Sequence, residues 1–178
     1  QALKDALELA VERTQDKDAG VAKLALETMR KEIRSATSSM TSVPKPLKFL
    51  RAHYQTLIDF YDGKASSPDN RKELADILSV LAMTMAKPET RTCLKYKLEG
   101  NVTDVSDWGH EYVRTLSGEV GQEFDARTTD EKGPKATDDL VVLVNEIVPY
   151  HLSHNAEHDA VDLLIEVGML DILLQQEK

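Results

Sequence analysis

The chain has 178 residues, 41% hydrophobic and 30% charged, with 31 acidic against 22 basic side chains and a formal charge of −9. That length and balance suit one domain with a real core rather than a disordered segment. They oppose nucleic acid or an anionic membrane surface as the main partner, because both recruit basic groups.

The hydrophobic period is helical almost throughout, and the elements read in chain order. Val21, Leu24, Ala25, Met29 and Ile33 form a first stripe. The stretch 38–46 is a connector, with Pro44 and Pro46 opening the next helix, where a missing N–H costs nothing. Leu47, Leu50, Tyr54, Leu57, Ile58 and Tyr61 predict one helix to Tyr61. A turn-rich loop follows over 62–70, with Asp69 or Asn70 as the cap of the next helix. Leu74, Ile77, Leu78, Leu81 and Met85 give the cleanest amphipathic pattern. Pro88 opens a short helix that Gly100 and Asn101 stop. Thr103 or Asp104 caps a long one through Phe124. The polar stretch 128–139 predicts a mobile loop. Leu140, Leu143, Val144 and Ile147 make a fourth stripe. Its run LVVLV resembles a strand locally, but continuation through Ile147 favours a helix. Ala160, Leu163, Leu164 and Val167 make the fifth, with Gly168 parting the last two helical pieces. The fold class is all-α: about eight or nine helices, paired as antiparallel hairpins and stacked like an α-solenoid. No repeat of fixed period is visible.

Several side chains invite a chemical reading. His151, His154 and His158 would share a face on one unbroken helix and could then ligate zinc through neutral imidazoles. Asn155, which tolerates the left-handed geometry of a helix end, and the fresh pattern after it favour a helix–turn–helix joint instead. Pro149 disturbs the preceding helix by leaving the Asn145 carbonyl without its donor. The stretch HEYVR (110–114) begins like a zinc-protease motif, but Arg114 stands where the second ligand is required. Glu111 is expected to contact Arg114 or Thr115. Gly118 and Gly121 lack the lysine of a phosphate loop and predict close helix–helix approach. Trp108, Tyr112, Leu116 and Val120 form a core ridge. The hydroxyl-rich stretch 36–43 reads as capping and turn residues, with phosphorylation as its alternative. Lys45, Lys48 and Arg51 form a solvated basic face, with an acidic partner helix as the alternative. Cys93 has no base beside it on its own helix and belongs in the core. It also has no partner for an internal disulfide, which points to a reducing compartment, the cytoplasm or nucleus. No catalytic, cofactor-binding or metal residue is assigned, no partner-binding residue can be named, and no enzyme is expected.

The segments LALETMRKEIRSATSSMTSVPKPLKFLRAHY (24–54), LADILSVLAMTM (74–85), CLKYKLEG (93–100), WGHEYVRTLSGEV (108–120) and HNAEHDAVDLLIEVGMLDILL (154–174) resemble one family. It is the large non-ATPase scaffold subunit of the base of the proteasome regulatory particle, in its N-terminal region. The resemblance covers nearly the whole chain and implies a single N-terminal helical domain over 1–178, a fragment of a larger subunit without the downstream toroid of proteasome/cyclosome repeats. It implies a non-catalytic scaffold in ubiquitin-dependent degradation. Its partners would be proteasome ATPase-ring and other regulatory-particle subunits, with ubiquitin and ubiquitin-like shuttle receptors engaged only by the downstream region. The alternatives are a general helical adaptor for a partner peptide, or a metal-dependent hydrolase using His110, Glu111 or the His151–His158 group.

Overall fold

The computed structural model describes residues 1–37, 43–63, 67–101 and 104–175. Among them the ordered elements are helical: α1 (Ala2–Thr14), α2 (Ala19–Thr37), α3 (Lys45–Leu50), α4 (Tyr54–Asp62), α5 (Pro68–Met85), α6 (Thr92–Glu99), α7 (His110–Thr128), α8 (Asp138–Ser153) and α9 (Glu157–Glu166), with short 3-10 turns between some of them. The run 140–144 is helix, as its continuation required.

α5 occupies the middle. It packs on α2, α3, α4, α6 and α7, and every residue from Leu74 to Ala82 is buried. The expected one-sided stripe is therefore only part of its apolar surface. Met85, placed in that stripe, is exposed because it lies at the helix end. The hairpin of α1 and α2 lies on one side of α5. On the other, α6 leads into a layer of α7, α8 and α9. One apolar cluster runs through all of these layers. Each of its fully buried leucines contributes about 1.5–3 kcal/mol relative to exposure.

Local chemistry explains the helix ends, and several differ from expectation. Asp18 caps α2 by accepting from the Gly20 amide at 2.8 Å. The face α2 buries is Ala22, Ala25, Leu26, Met29 and Ile33. Leu24 is exposed, since Ala22 and Leu26 lie nearer the line that meets α1 and α5. The helix predicted over 47–61 is interrupted by a 3-10 turn at Arg51–His53. Ser67, rather than Asp69 or Asn70, caps α5, with Pro68 in its first turn. Asn70 is instead buried, and its side-chain amide donates to the Ala19 carbonyl at 2.9 Å. The loop before α5 is correspondingly shorter than predicted.

Pro88 starts only a 3-10 turn. Arg91 then takes a left-handed conformation (φ 49°), and α6 begins at Thr92. Asp104 caps a separate turn, Val105–Trp108. Gly109 at φ 85° resets the chain, so α7 starts at His110 and runs past Phe124 to Thr128. Thr103 and most of 36–43 lie outside the described residues. The polar stretch after α7 is held down: the Arg127 guanidinium donates to the Ala136 carbonyl at 2.9 Å, and the Lys135 amide donates to the Arg127 carbonyl at 2.9 Å. No described helix is long and apolar enough to cross a membrane.

Candidate functional site

The three spaced histidines meet a corner. α8 contains Pro149 and continues to Ser153. Asn155 adopts φ 55°, and the Ala156 amide donates back to the His151 carbonyl at 2.9 Å, sealing the helix end. His151 and His154 thus belong to α8, and His158 to α9. His154 stacks on Tyr150 with ring centroids 4.0 Å apart, while its Nδ1 lies 2.8 Å from the Tyr150 carbonyl. His158 is exposed. His151 turns inward, fully buried, and neither ring nitrogen has a hydrogen-bond partner among the described residues. Its ring faces His110, whose centroid is 6.1 Å away. Burial holds the His151 imidazole below its ordinary pKa, against the opposing pull of Asp159. Glu111 points to solvent. The expected contact of Glu111 with Arg114 or Thr115 is not among the described ion pairs and hydrogen bonds; Arg114 reaches across to Asp159 on α9 at 3.7 Å. No described group of three or more His, Cys, Asp or Glu is gathered as a ligand shell.

Cys93 lies in the core, where burial pushes its thiol far above the ordinary range. It belongs to a polar knot between α5, α6 and α7. The Ser79 hydroxyl lies 2.7 Å from both the Cys93 carbonyl and the Tyr112 hydroxyl. Glu119 accepts from the Cys93 amide at 3.3 Å, serving the start of α6 from a neighbouring helix. Burial raises its carboxyl above the usual range. Trp108, Tyr112, Leu116 and Val120 are all buried, though Trp108 stands on the turn before α7 rather than on the helix. Of the two glycines, only Gly121 marks a close approach: an added Cβ would fall 1.7 Å from the Glu166 carboxylate. Gly118 faces open space. Lys45 and Lys48 are exposed and Arg51 is half-buried, which leaves a basic face on α3.

A cluster that sequence reasoning did not find centres on Arg30 of α2. Its guanidinium meets Asp76 at 2.5 Å, Glu73 at 3.1 Å and Asp107 at 3.5 Å, and lies over the Trp108 ring at 5.2 Å. Asn101 closes the other side, its amide donating to Asp76 at 3.1 Å and its side chain to Glu73 at 2.8 Å. Gly100 permits this contact, because a Cβ there would stand 2.1 Å from Asp76 Oδ1. Asp76 was detectable: it is the one carboxylate inside the apolar run LADILSVLAM. Arg30 was not, since ETMRKEIR alternates charge like any solvated face. These polar groups tie helices to one another. They lock the interior of a stack and leave its outer surfaces for contact.

Outer apolar side chains stay uncovered at both ends of the stack. Leu9 and Leu24 flank a groove of about 560 Å³ between α1 and α2. Ile165, Leu170 and Leu174 are exposed at the other end. A family model described as the RPN1 N-terminal domain matches residues 7–177. The chain belongs to that family. Members similar to it include 26S proteasome non-ATPase regulatory subunit 2 homolog B of Arabidopsis thaliana, 54% identical over 97% of this chain and 19% of the relative. The 26S proteasome non-ATPase regulatory subunit 2 of Dictyostelium discoideum is 51% identical, again over 97% of this chain and 19% of its own length. The 26S proteasome regulatory subunit rpn1 of Schizosaccharomyces pombe is 50% identical over 95% of this chain and 18% of its length. The chain therefore spans about a fifth of these relatives. As an RPN1 N-terminal domain it is all-α, with stacked helical hairpins, and its relatives carry the names of regulatory subunits rather than of enzymes.

Proposed function

We propose that this chain is a non-catalytic scaffold segment in the base of the proteasome regulatory particle, supporting assembly and ubiquitin-dependent protein degradation. The match over residues 7–177 to the family of 26S proteasome regulatory subunits carries this reading. The geometry supports it: buried charges brace helices, and the exposed apolar side chains lie on outer faces suited to docking. On this reading the chain is the N-terminal helical domain of a longer subunit. Its partners are ATPase-ring and other regulatory-particle subunits, and ubiquitin or shuttle receptors engage the remainder of that subunit. It works in the cytoplasm and nucleus. Affinity purification of the tagged natural protein from cell extract tests this. Proteasome ATPases should co-elute in near-stoichiometric amounts, and a product that runs as a free monomer in extract would sink the proposal.

A further inference from the structure

The His151 ring is boxed at the junction of three helices, α7, α8 and α9. It is fully buried, and its two nitrogens have no hydrogen-bond partner among the described residues, although buried polar groups are ordinarily bonded. The charged and titratable groups that act on it come from every helix of the junction. α7 supplies His110, whose own Nδ1 is buried with no hydrogen-bond partner among the described residues, and Arg114. α8 supplies Tyr150, with its ring 6.1 Å away, and His154. α9 supplies Asp159, already engaged by Arg114. Asp104, before the turn that packs on α8, acts electrostatically on Tyr150. A positive charge on His151 would meet the fixed cation of Arg114, against an Asp159 carboxylate that Arg114 already engages.

We propose that the junction of α8 and α9 with α7 is an acid-sensitive latch, closed while the His151 ring is neutral and released when protonation sets its charge beside His110 and Arg114. The sign is fixed by linkage. A group whose pKa is lower in the folded state than in the unfolded chain binds fewer protons when folded. Its stabilising contribution is present above the unfolded histidine value of about 6.5 and is lost as pH falls below it. The loss is local, because neither α8 nor α9 packs extensively on α1 to α5 among the described residues.

Hydrogen–deuterium exchange at about pH 7.5 and about pH 5.5, corrected for intrinsic exchange, tests the latch. Amides of α8 and α9 should lose protection roughly tenfold more than those of α2 and α5. His151→Leu should abolish that difference, and His158→Gln, at an exposed position, should keep it. An equal loss in all helices, or the same local loss in folded His151→Leu, overturns the proposal. If His151→Leu does not fold, NMR titration of the unmodified protein decides. His151 should titrate below about 6.5, and a midpoint at or above that value refutes the latch.

Discussion

Arg30 shows how one side chain can hold several elements. It answers Asp76, Glu73 and Asp107 at once, joining α2, α5 and the turn before α7. Burial raises the Asp76 carboxyl above its ordinary value, with Arg30 pulling the other way. Forming the charge thus costs stability that the guanidinium partly offsets. Removing the guanidinium alone leaves a buried carboxylate without its ion pair. Arg30→Met should lower unfolding free energy by about 3 kcal/mol, read by urea denaturation. Arg30→Met combined with Asp76→Leu should lose less than Arg30→Met by itself, because the orphaned charge is gone. A double variant as unstable as the single one would show that shape, not charge, governs the site.

At the scale of the element, two glycines on either side of one helix boundary should respond in opposite directions. Gly118 lies within α7 with nothing near its absent Cβ. Gly118→Ala should therefore stabilise by about 0.5–1 kcal/mol through helix propensity alone. Gly109 holds φ 85°, and a Cβ there would sit 3.0 Å from the Thr37 carbonyl. Gly109→Ala should destabilise by about 1–3 kcal/mol, and thermal unfolding of both variants separates the two effects. The residue order places both glycines near a helix start or middle. It does not distinguish them, because one is set by backbone geometry and the other by what lies opposite. The corners at Asn155 and Gly168 were legible for the complementary reason: a left-handed residue ending a helix is a local requirement, and Asn or Gly meets it. The break at Arg51–His53 was not, since the apolar spacing of Leu47, Leu50 and Tyr54 suits either a continuous helix or two short ones.

For the whole molecule, the continuous core from α1 to the final turn Leu170–Gln175 implies that the layers unfold together near neutral pH. The single tryptophan, Trp108, is a natural reporter. It is buried under Arg30, on a turn that touches α2, α7 and α8. Its fluorescence and the far-ultraviolet circular dichroism should show coincident urea transitions at about pH 7.5. Separated midpoints would mean that the layers are independent units. The same continuity explains why interior polar side chains brace helices while the faces suited to partners lie outside. The proposed place in the regulatory particle depends on those outer faces.

Taken alone, the order of residues determines an all-α chain, the approximate course of its main helices, and its family, through long shared strings. Helical periodicity and turn chemistry are local properties, readable within a few residues. Only the tertiary structure decides that α5 is enclosed on nearly all sides, that Arg30 serves three carboxylates and that His151 faces His110. Each depends on side chains brought together from distant parts of the sequence. Burial and charge compensation are consequences of that meeting, and no spacing along the chain encodes them.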